Sequence, residues 1–99
     1  MLRLALIGGR HVGDQYGRIA DRIRNARFTA VADRDSGIAE QMARLLGAEV
    51  WTDGFDKLLS RHSAAFDCVL IHSTHPSHEL HCRIAARAGK HILVESPLA

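Results

Sequence analysis

A short apolar segment that runs directly into glycine constrains the fold of this chain more than any other feature. Residues Leu2–Ile7 are apolar except for Arg3, and Gly8 and Gly9 follow at once. A short apolar run that ends in glycine is typical of a parallel strand buried on both faces of a sheet. We therefore expect an open α/β sheet whose ligand binds where the strands end.

The rest of the chain alternates between strand-like and helix-like segments. Further strands are predicted at Phe28–Ala32, Ala48–Trp51, Cys68–Ile71 and Ile92–Val94. Helical spacing lies between them, carried by Tyr16, Ile19, Ala20 and Ile23, by Ile38, Ala39, Met42, Leu45 and Leu46, by Phe55, Leu58 and Leu59, and by Leu80, Ile84, Ala85 and Ala88. Such alternation predicts right-handed crossovers and a doubly wound parallel sheet. We expect the strand order 3-2-1-4-5, with a ligand crevice between strands 1 and 4.

Composition limits the class of protein. A chain of 99 residues predicts one domain. Its net charge is +2 and its basic residues are scattered, which argues against a nucleic-acid partner. No apolar run approaches membrane length, and the N-terminus lacks a signal-peptide pattern. The two cysteines, Cys68 and Cys82, are expected to be free thiols, so a cytoplasmic location is predicted.

A glycine-rich turn after the first strand is the candidate phosphate-binding element. The dinucleotide fingerprint is G-x-G-x-x-G, and Gly8 and Gly13 occupy its first and last positions, whereas Arg10 replaces the central glycine. The alternative is a tight strand-to-helix turn without a ligand. The candidate turn comprises Gly8, Gly9, Arg10, His11, Val12 and Gly13.

An acidic residue at the end of the second strand strengthens the nucleotide interpretation. Asp33 stands twenty residues after Gly13, where an acid binds the ribose hydroxyls of NAD. A helix-cap or loop role is the alternative for this residue. Arg34 follows and could meet a 2′-phosphate, so NAD is the expected cofactor and NADP stays open.

Histidines recur every third residue in the stretch that follows the fourth strand. They are His72, His75, His78 and His81, with Cys82 next to the last. Imidazole is a common metal ligand, but only His78 and His81 share the predicted helix, and one such pair does not close a site. We therefore predict no metal site. Cys68 lies within a predicted strand and is expected to be a small buried hydrophobe.

Four segments carry a resemblance to a known family. They are Val31-Ala-Asp-Arg-Asp35, Trp51-Thr-Asp-Gly-Phe-Asp-Lys-Leu-Leu59, Asp67-Cys-Val-Leu-Ile-His-Ser-Thr-His-Pro-Ser-His78 and Ala88-Gly-Lys-His-Ile-Leu-Val-Glu-Ser-Pro-Leu-Ala99. Together they resemble the N-terminal NAD(P)-binding domain of the Gfo/Idh/MocA oxidoreductases. The last segment is the most specific, because it resembles the family's Gly-Lys-His-Val-x-x-Glu-Lys-Pro ending.

The resemblance implies a function and further site residues. Family members transfer hydride between NAD(P) and a hydroxyl of a sugar or polyol, so a small-molecule substrate is implied for the full-length protein. By the same resemblance, the cofactor-binding residues include Ser73, Thr74, His75 and Pro76 at its central part, His78 close by, and Glu95 at the nicotinamide ribose.

One departure from the family concerns chemistry. Ser96 stands where the family has a lysine that assists proton transfer, and a hydroxyl is a poor general base at neutral pH. The sequence also looks cut after Glu95-Ser96-Pro97, so residues 1–99 are expected to be a dinucleotide-binding domain that lacks the family's C-terminal α+β domain. Alone it is expected to be inactive. The alternative is a non-catalytic nucleotide-binding or regulatory module.

The last strand bears on oligomeric state. In this reading Ile92–Val94 lies at the edge of the sheet, with backbone groups unpaired on one side. Open apolar edges favour pairing with another chain. A homo-oligomer is therefore expected.

Overall fold

A parallel sheet of five strands organises the chain. The computed structural model describes residues 2–8, 25–71 and 75–94. The strands are β1 (Leu2–Ile7), β2 (Ala26–Ala32), β3 (Val50–Thr52), β4 (Cys68–Ile71) and β5 (His91–Val94). Their order is β3-β2-β1-β4-β5 and all pairs are parallel, which confirms the predicted order.

Three helices are present in the described residues. They are α1 (Ser36–Leu46), α2 (Phe55–His62) and α3 (His75–Arg87), and a 3₁₀ turn (Ser63–Ala65) follows α2. The helix predicted around Tyr16–Ile23 lies outside the described residues. None of the described helices is long and apolar enough to cross a bilayer.

The caps of α1 account for its bounds. Asp35 is the N-cap, and its carboxylate accepts hydrogen bonds from the N–H groups of Gly37 and Ile38. Gly47 ends the helix at φ 75°, a left-handed conformation that favours glycine. The Ala48 N–H donates to the Ala43 carbonyl at 2.8 Å, which keeps Ala48 in the cap. Strand β3 therefore begins at Val50, two residues later than predicted.

The core has two layers, one on each face of the sheet. Side chains alternate along a strand, so β1 contributes Leu4 and Leu6 to one layer and Ala5 and Ile7 to the other. The first layer packs against Ala39, Met42 and Ala43 of α1, and the second includes Phe55, Leu58, Phe66 and Ala85.

Two leucines of the predicted apolar helix faces lie outside this core. The exposed fraction is 57% for Leu45 and 53% for Leu80. The predicted faces were too wide, because the core side of α1 is filled by the small Ala39 and Ala43 together with Met42.

Hydrogen bonds from side chains hold a segment beside the amino-terminal ends of the strands. The carbonyls of residues 63–66 accept them, and that of Ala65 accepts a hydrogen bond from the Thr29 hydroxyl at 2.7 Å. Lys90 Nζ donates to the carbonyls of Ser63 and Phe66, at 2.6 and 2.8 Å. Arg3 donates to the Ala64 carbonyl at 2.9 Å and also pairs with Asp67. The 3₁₀ turn is therefore fixed to both β1 and the start of β5.

Candidate cofactor site

The register of the sheet brings the ends of all five strands level. Across the sheet, the aligned last residues are Thr52, Ala32, Ile7, Ile71 and Val94. The five strands therefore end together, at the carboxyl-terminal edge of the sheet. In parallel α/β sheets this carboxyl-terminal edge is where ligands bind.

Gly8 turns the chain out of β1 at the centre of this edge. Its φ is 86°, a left-handed conformation that costs other L-residues about 1–2 kcal/mol. Its N–H donates to the Ala32 carbonyl at 2.8 Å, so the turn is fixed to the end of β2. The rest of the predicted phosphate-binding turn, namely Gly9, Arg10, His11, Val12 and Gly13, lies outside the described residues.

Asp33 follows β2 directly beside this turn and is half-buried. Its N–H donates to the Thr52 carbonyl at 3.2 Å, and its Oδ1 accepts a hydrogen bond from the Asp35 N–H at 2.9 Å. The first bond fixes the backbone at Asp33 to the end of β3, and the second orients its carboxylate. The N-cap of α1 is Asp35, so the cap alternative considered for Asp33 belongs to its neighbour. Arg34, between them, is exposed.

A second carboxylate follows β3. It was not among the site residues predicted from the sequence. Asp53 occupies the strand-end position next to Asp33 and forms a 2.7 Å ion pair with Lys57. The hydrogen bond from Lys57 lowers the pKa of Asp53. Thr52, buried beside it, donates its hydroxyl to the Gly54 carbonyl at 2.7 Å. The signal in the sequence is Asp-Gly directly after a short strand, a common turn dipeptide.

The remaining predicted cofactor residues follow β4 and β5. Ser73, Thr74 and Glu95 lie outside the described residues, as does Ser96. His75, Pro76 and His78 belong to the first turns of α3, for which only the backbone is described. The prediction that only His78 and His81 share this helix was wrong, because the helix begins at His75. Because α3 begins four residues after Ile71, its amino terminus lies at the same edge as Gly8. Helix amino termini favour anionic groups such as phosphate.

The histidine and cysteine side chains that are described do not form a metal centre. Within residues 2–8, 25–71 and 75–94, no three His, Cys, Asp or Glu side chains are placed to hold an ion. His81 packs edge-on against Phe55, with ring centroids 5.7 Å apart. Cys68 is buried and burial raises the pKa of its thiol, which confirms the expectation of a small buried hydrophobe. Neither Cys68 nor Cys82 forms a disulfide.

These residues fit a dinucleotide. A glycine turn allows close approach of a phosphate to backbone, and a carboxylate level with that turn accepts hydrogen bonds from ribose hydroxyls. Gly8 and Asp33 meet this requirement because their preceding residues, Ile7 and Ala32, are direct neighbours in the sheet. Gly8 would border the pyrophosphate and Asp33 would bind the adenosine ribose.

Comparison with known proteins gives a family and relatives. A family model described as an oxidoreductase family with an NAD-binding Rossmann fold, GFO_IDH_MocA, matches residues 2–99. Inositol 2-dehydrogenase from Rhodococcus erythropolis is 35% identical over 99 residues, which are 98% of this chain and 28% of that protein. The chain thus spans little more than a quarter of this relative's length.

Solved structures agree with the fold and with the cofactor class. GenD2 from gentamicin A biosynthesis, in complex with NAD, has a TM-score of 0.79 and 26% identity over 99% of this chain and 27% of its own. KijD10, a 3-ketoreductase from Actinomadura kijaniata in complex with NADP, has a TM-score of 0.80 and 27% identity over 99% of this chain and 30% of its own. These structural neighbours therefore include complexes with both coenzymes.

Proposed function

The chain belongs to the Gfo/Idh/MocA oxidoreductase family, and from this premise we propose that it holds NAD(H) for hydride exchange with a hydroxyl of a polyol or sugar. The matched family is an NAD-binding one. We propose which residues bind the coenzyme, that NAD is preferred over NADP, and which class of substrate reacts.

The observation that carries the proposal is the alignment of Gly8 with Asp33. The Gly8 N–H donates to the carbonyl of Ala32, so one hydrogen bond joins the glycine turn to the residue that directly precedes Asp33. This places an anion-tolerant turn next to a hydroxyl acceptor, as the pyrophosphate and adenosine ribose of one dinucleotide require.

NAD(H) is the preferred coenzyme in this proposal. The Asp33 carboxylate accepts hydrogen bonds from two ribose hydroxyls but repels a 2′-phosphate. The exposed Arg34 could pair with that phosphate, and it works against the preference. Asp33 decides between them because its carboxylate is already oriented by the Asp35 N–H at 2.9 Å.

Titration of the purified chain with NADH and NADPH tests the assignment. The substitution Asp33→Ala should weaken NADH binding roughly tenfold, because it removes a hydrogen bond to a charged group. It should weaken NADPH binding less. Glu49→Gln is the matched control, since it also removes one negative charge but lies exposed before β3, at the opposite end of the strands, and should leave the NADH-to-NADPH ratio unchanged. Equal losses for both coenzymes in Asp33→Ala would overturn the role of Asp33.

A polyol or sugar is the proposed substrate class. Its support is the 35% identity to an inositol 2-dehydrogenase. In such a reaction the bound nicotinamide supplies or accepts the hydride. A chimaera that joins this chain to the rest of the Rhodococcus erythropolis relative tests the match. Formation of NADH from myo-inositol supports the proposal, and a folded chimaera that binds NAD(H) without any turnover contradicts it.

Ser96 favours a second candidate, a nucleotide-binding module without catalysis. It stands at the position of the lysine in the family's Glu-Lys-Pro segment, and a neutral hydroxyl is a poor general base. Ser96→Lys in the same chimaera separates the two candidates. An unchanged or higher rate means that the chain supports family chemistry. No turnover with either residue, in a chimaera that binds NAD(H), supports the non-catalytic module.

A cytoplasmic location completes the proposal. Its support is that Cys68 and Cys82 form no disulfide. Recovery of the protein in the soluble fraction of lysed cells, together with cytoplasmic enzymes, is expected. Recovery with secreted proteins would contradict it.

A further inference from the structure

Strand β2 contains one residue more than the stretch of β1 that it pairs with. The register runs Leu4 with Phe28 and then Ala5 with Ala30, so Thr29 is a bulge residue. Because of this extra residue, the side chains after Thr29 point to the opposite faces of the sheet from those that regular alternation would give. Phe28 and Val31 pack in the layer of α1, whereas Ala30 and Ala32 pack in the opposite layer.

The apolar pattern of β2 does not by itself select this register. Beyond Thr29 the strand reads Ala30-Val31-Ala32, and each of these small apolar residues is compatible with either face. Register is weakly specified where both faces of a strand are apolar, and a slip of one residue moves every side chain to the other face. Another interaction must therefore favour the bulged pairing.

The register decides where Asp33 stands. In the bulged pairing Ala32 is opposite Ile7, and Asp33 is level with Gly8. Without the bulge Ile7 would pair with Val31, and Asp33 would be level with position 9. That is a displacement of about 3.3 Å along the strand, with the side chain directed to the other face.

The hydroxyl of Thr29 is the group that distinguishes the two pairings. It donates to the Ala65 carbonyl at 2.7 Å, with a longer contact of 3.4 Å to the Leu4 carbonyl. Ala65 is a fixed anchor, because Arg3 and Lys90 bind the carbonyls on either side of it. In the regular pairing Thr29 would lie opposite Ala5, and its hydroxyl would move along the strand from its present position between the Leu4 and Ala65 carbonyls.

We propose that Thr29 is a positioning residue that sets coenzyme preference by holding β2 in the bulged register, which keeps Asp33 level with Gly8. This inference rests on the proposed binding of the adenosine ribose by Asp33. Thr29 itself is three residues inside the strand from Ala32 and does not belong to the site.

Two changes at the same position test the inference. Thr29→Val removes the hydroxyl and keeps the residue, so the regular register becomes competitive. Deletion of Thr29 also removes the hydroxyl, but it lets Phe28 and Ala30 follow one another in the pairing that they already have. Thr29→Val should lower the preference for NADH over NADPH about fivefold, the weight of one hydrogen bond. The deletion should keep the preference of the parent chain.

Hydrogen exchange of the Gly8 amide gives a readout that needs no coenzyme. That amide is bonded to the Ala32 carbonyl and must release it before it can bond the Val31 carbonyl of the regular register, so its protection reports how firmly the bulged register is held. It should exchange faster in Thr29→Val than in the deletion variant, relative to global stability. Thr29→Ser, which restores the hydroxyl, should recover both protection and preference.

Gly47→Ala is the matched control for stability alone. It strains the left-handed cap of α1 and leaves Thr29 and the carbonyls of residues 63–66 unchanged. It should lower the melting temperature and leave the coenzyme ratio unchanged. Equal effects of Thr29→Val and the deletion on the ratio and on Gly8 protection would overturn the inference. Failure of the parent chain to bind either coenzyme, with the exchange pattern as expected, would instead overturn the proposed function.

Discussion

Two aspartates that stand two residues apart take different roles because only one of them can reach the helix. The Asp35 carboxylate accepts from the N–H groups of Gly37 and Ile38, and its own N–H donates to Asp33. The sequence shows both acids and allows either Asp35 or Ser36 as the cap. The backbone at Asp35, which is extended at φ −94° and ψ 111°, makes it the N-cap.

The ion pair of Arg3 with Asp67 predicts a dependence of stability on pH. The Arg3 guanidinium hydrogen-bonds Asp67 at 2.8 and 3.0 Å and holds the pKa of that carboxyl below its usual range. A lowered folded-state pKa stabilises the protein above the unfolded pKa, and this contribution is lost as pH falls through the folded value. Asp67→Asn should therefore lower the melting temperature at pH 7.

The difference from the parent should begin to shrink below about pH 4, the ordinary range of an aspartate, and should vanish only when the pH has fallen past the lowered folded-state pKa of Asp67. Thermal melts of both proteins across this range measure it. Glu49→Gln, the same charge change at an exposed position, is the control. A gap in melting temperature that persists unchanged into acid would show that the charge of Asp67 is not what stabilises the fold.

Gly47 gives a prediction about backbone conformation. Its φ is 75°, and a Cβ at this position would meet nothing within 4 Å, so only the left-handed backbone opposes a side chain. Gly47→Ala should lower the free energy of unfolding by about 1 kcal/mol, and Gly47→Asn by less. Denaturant unfolding measures both. Equal losses for the two variants would mean that space, and not backbone conformation, limits this position.

At the scale of elements, the bounds that the sequence predicts best are those with a local cause. Cys68–Ile71 is found as predicted, because the apolar run is short and buried throughout. The bulge at Thr29 is not visible in the sequence, since Ala30-Val31-Ala32 lacks alternation. The role of Lys90 depends on carbonyls 24 and 27 residues away, which no local pattern reports.

The two leucines Leu58 and Leu45 test the division between core and surface. Leu58 of α2 is fully buried, whereas Leu45 of α1 is 57% exposed. Leu58→Ala should lower the free energy of unfolding by about 2–5 kcal/mol, since it leaves a cavity. Leu45→Ala should change it by less than about 0.5 kcal/mol. Chemical denaturation compares them, and a similar loss at both positions would contradict the packing described for α1.

At the scale of the whole molecule, the sheet order predicts self-association. Within the described residues β5 pairs with β4 alone and forms one edge of the sheet. An edge strand offers backbone groups to another chain. We expect sedimentation at micromolar concentration to detect a homo-oligomer whose population rises with concentration. A monomer over the whole concentration range would contradict this expectation.

The topology of the whole sheet can be predicted from the sequence, but the exact alignment of its site residues cannot. The alternation of strands and helices predicts the sheet order, because parallel strands need crossovers and these have one hand. It also predicts that Gly8 and Asp33 share an edge. It does not predict their exact level, which depends on the bulge, nor the neighbouring Asp53 with its partner Lys57.

The central claim is that a dinucleotide binds at the carboxyl-terminal edge of the sheet, with Asp33 at its ribose. Amide-resolved NMR titration with NADH tests it most directly, because one experiment reports on both the carboxyl-terminal and the amino-terminal ends of the strands. Chemical shift changes are expected at the amides of Gly8, Asp33 and Arg34, and none is expected in the segment 63–67 beside the amino-terminal ends of the strands. Changes confined to residues 63–67, or none at either edge, would contradict it.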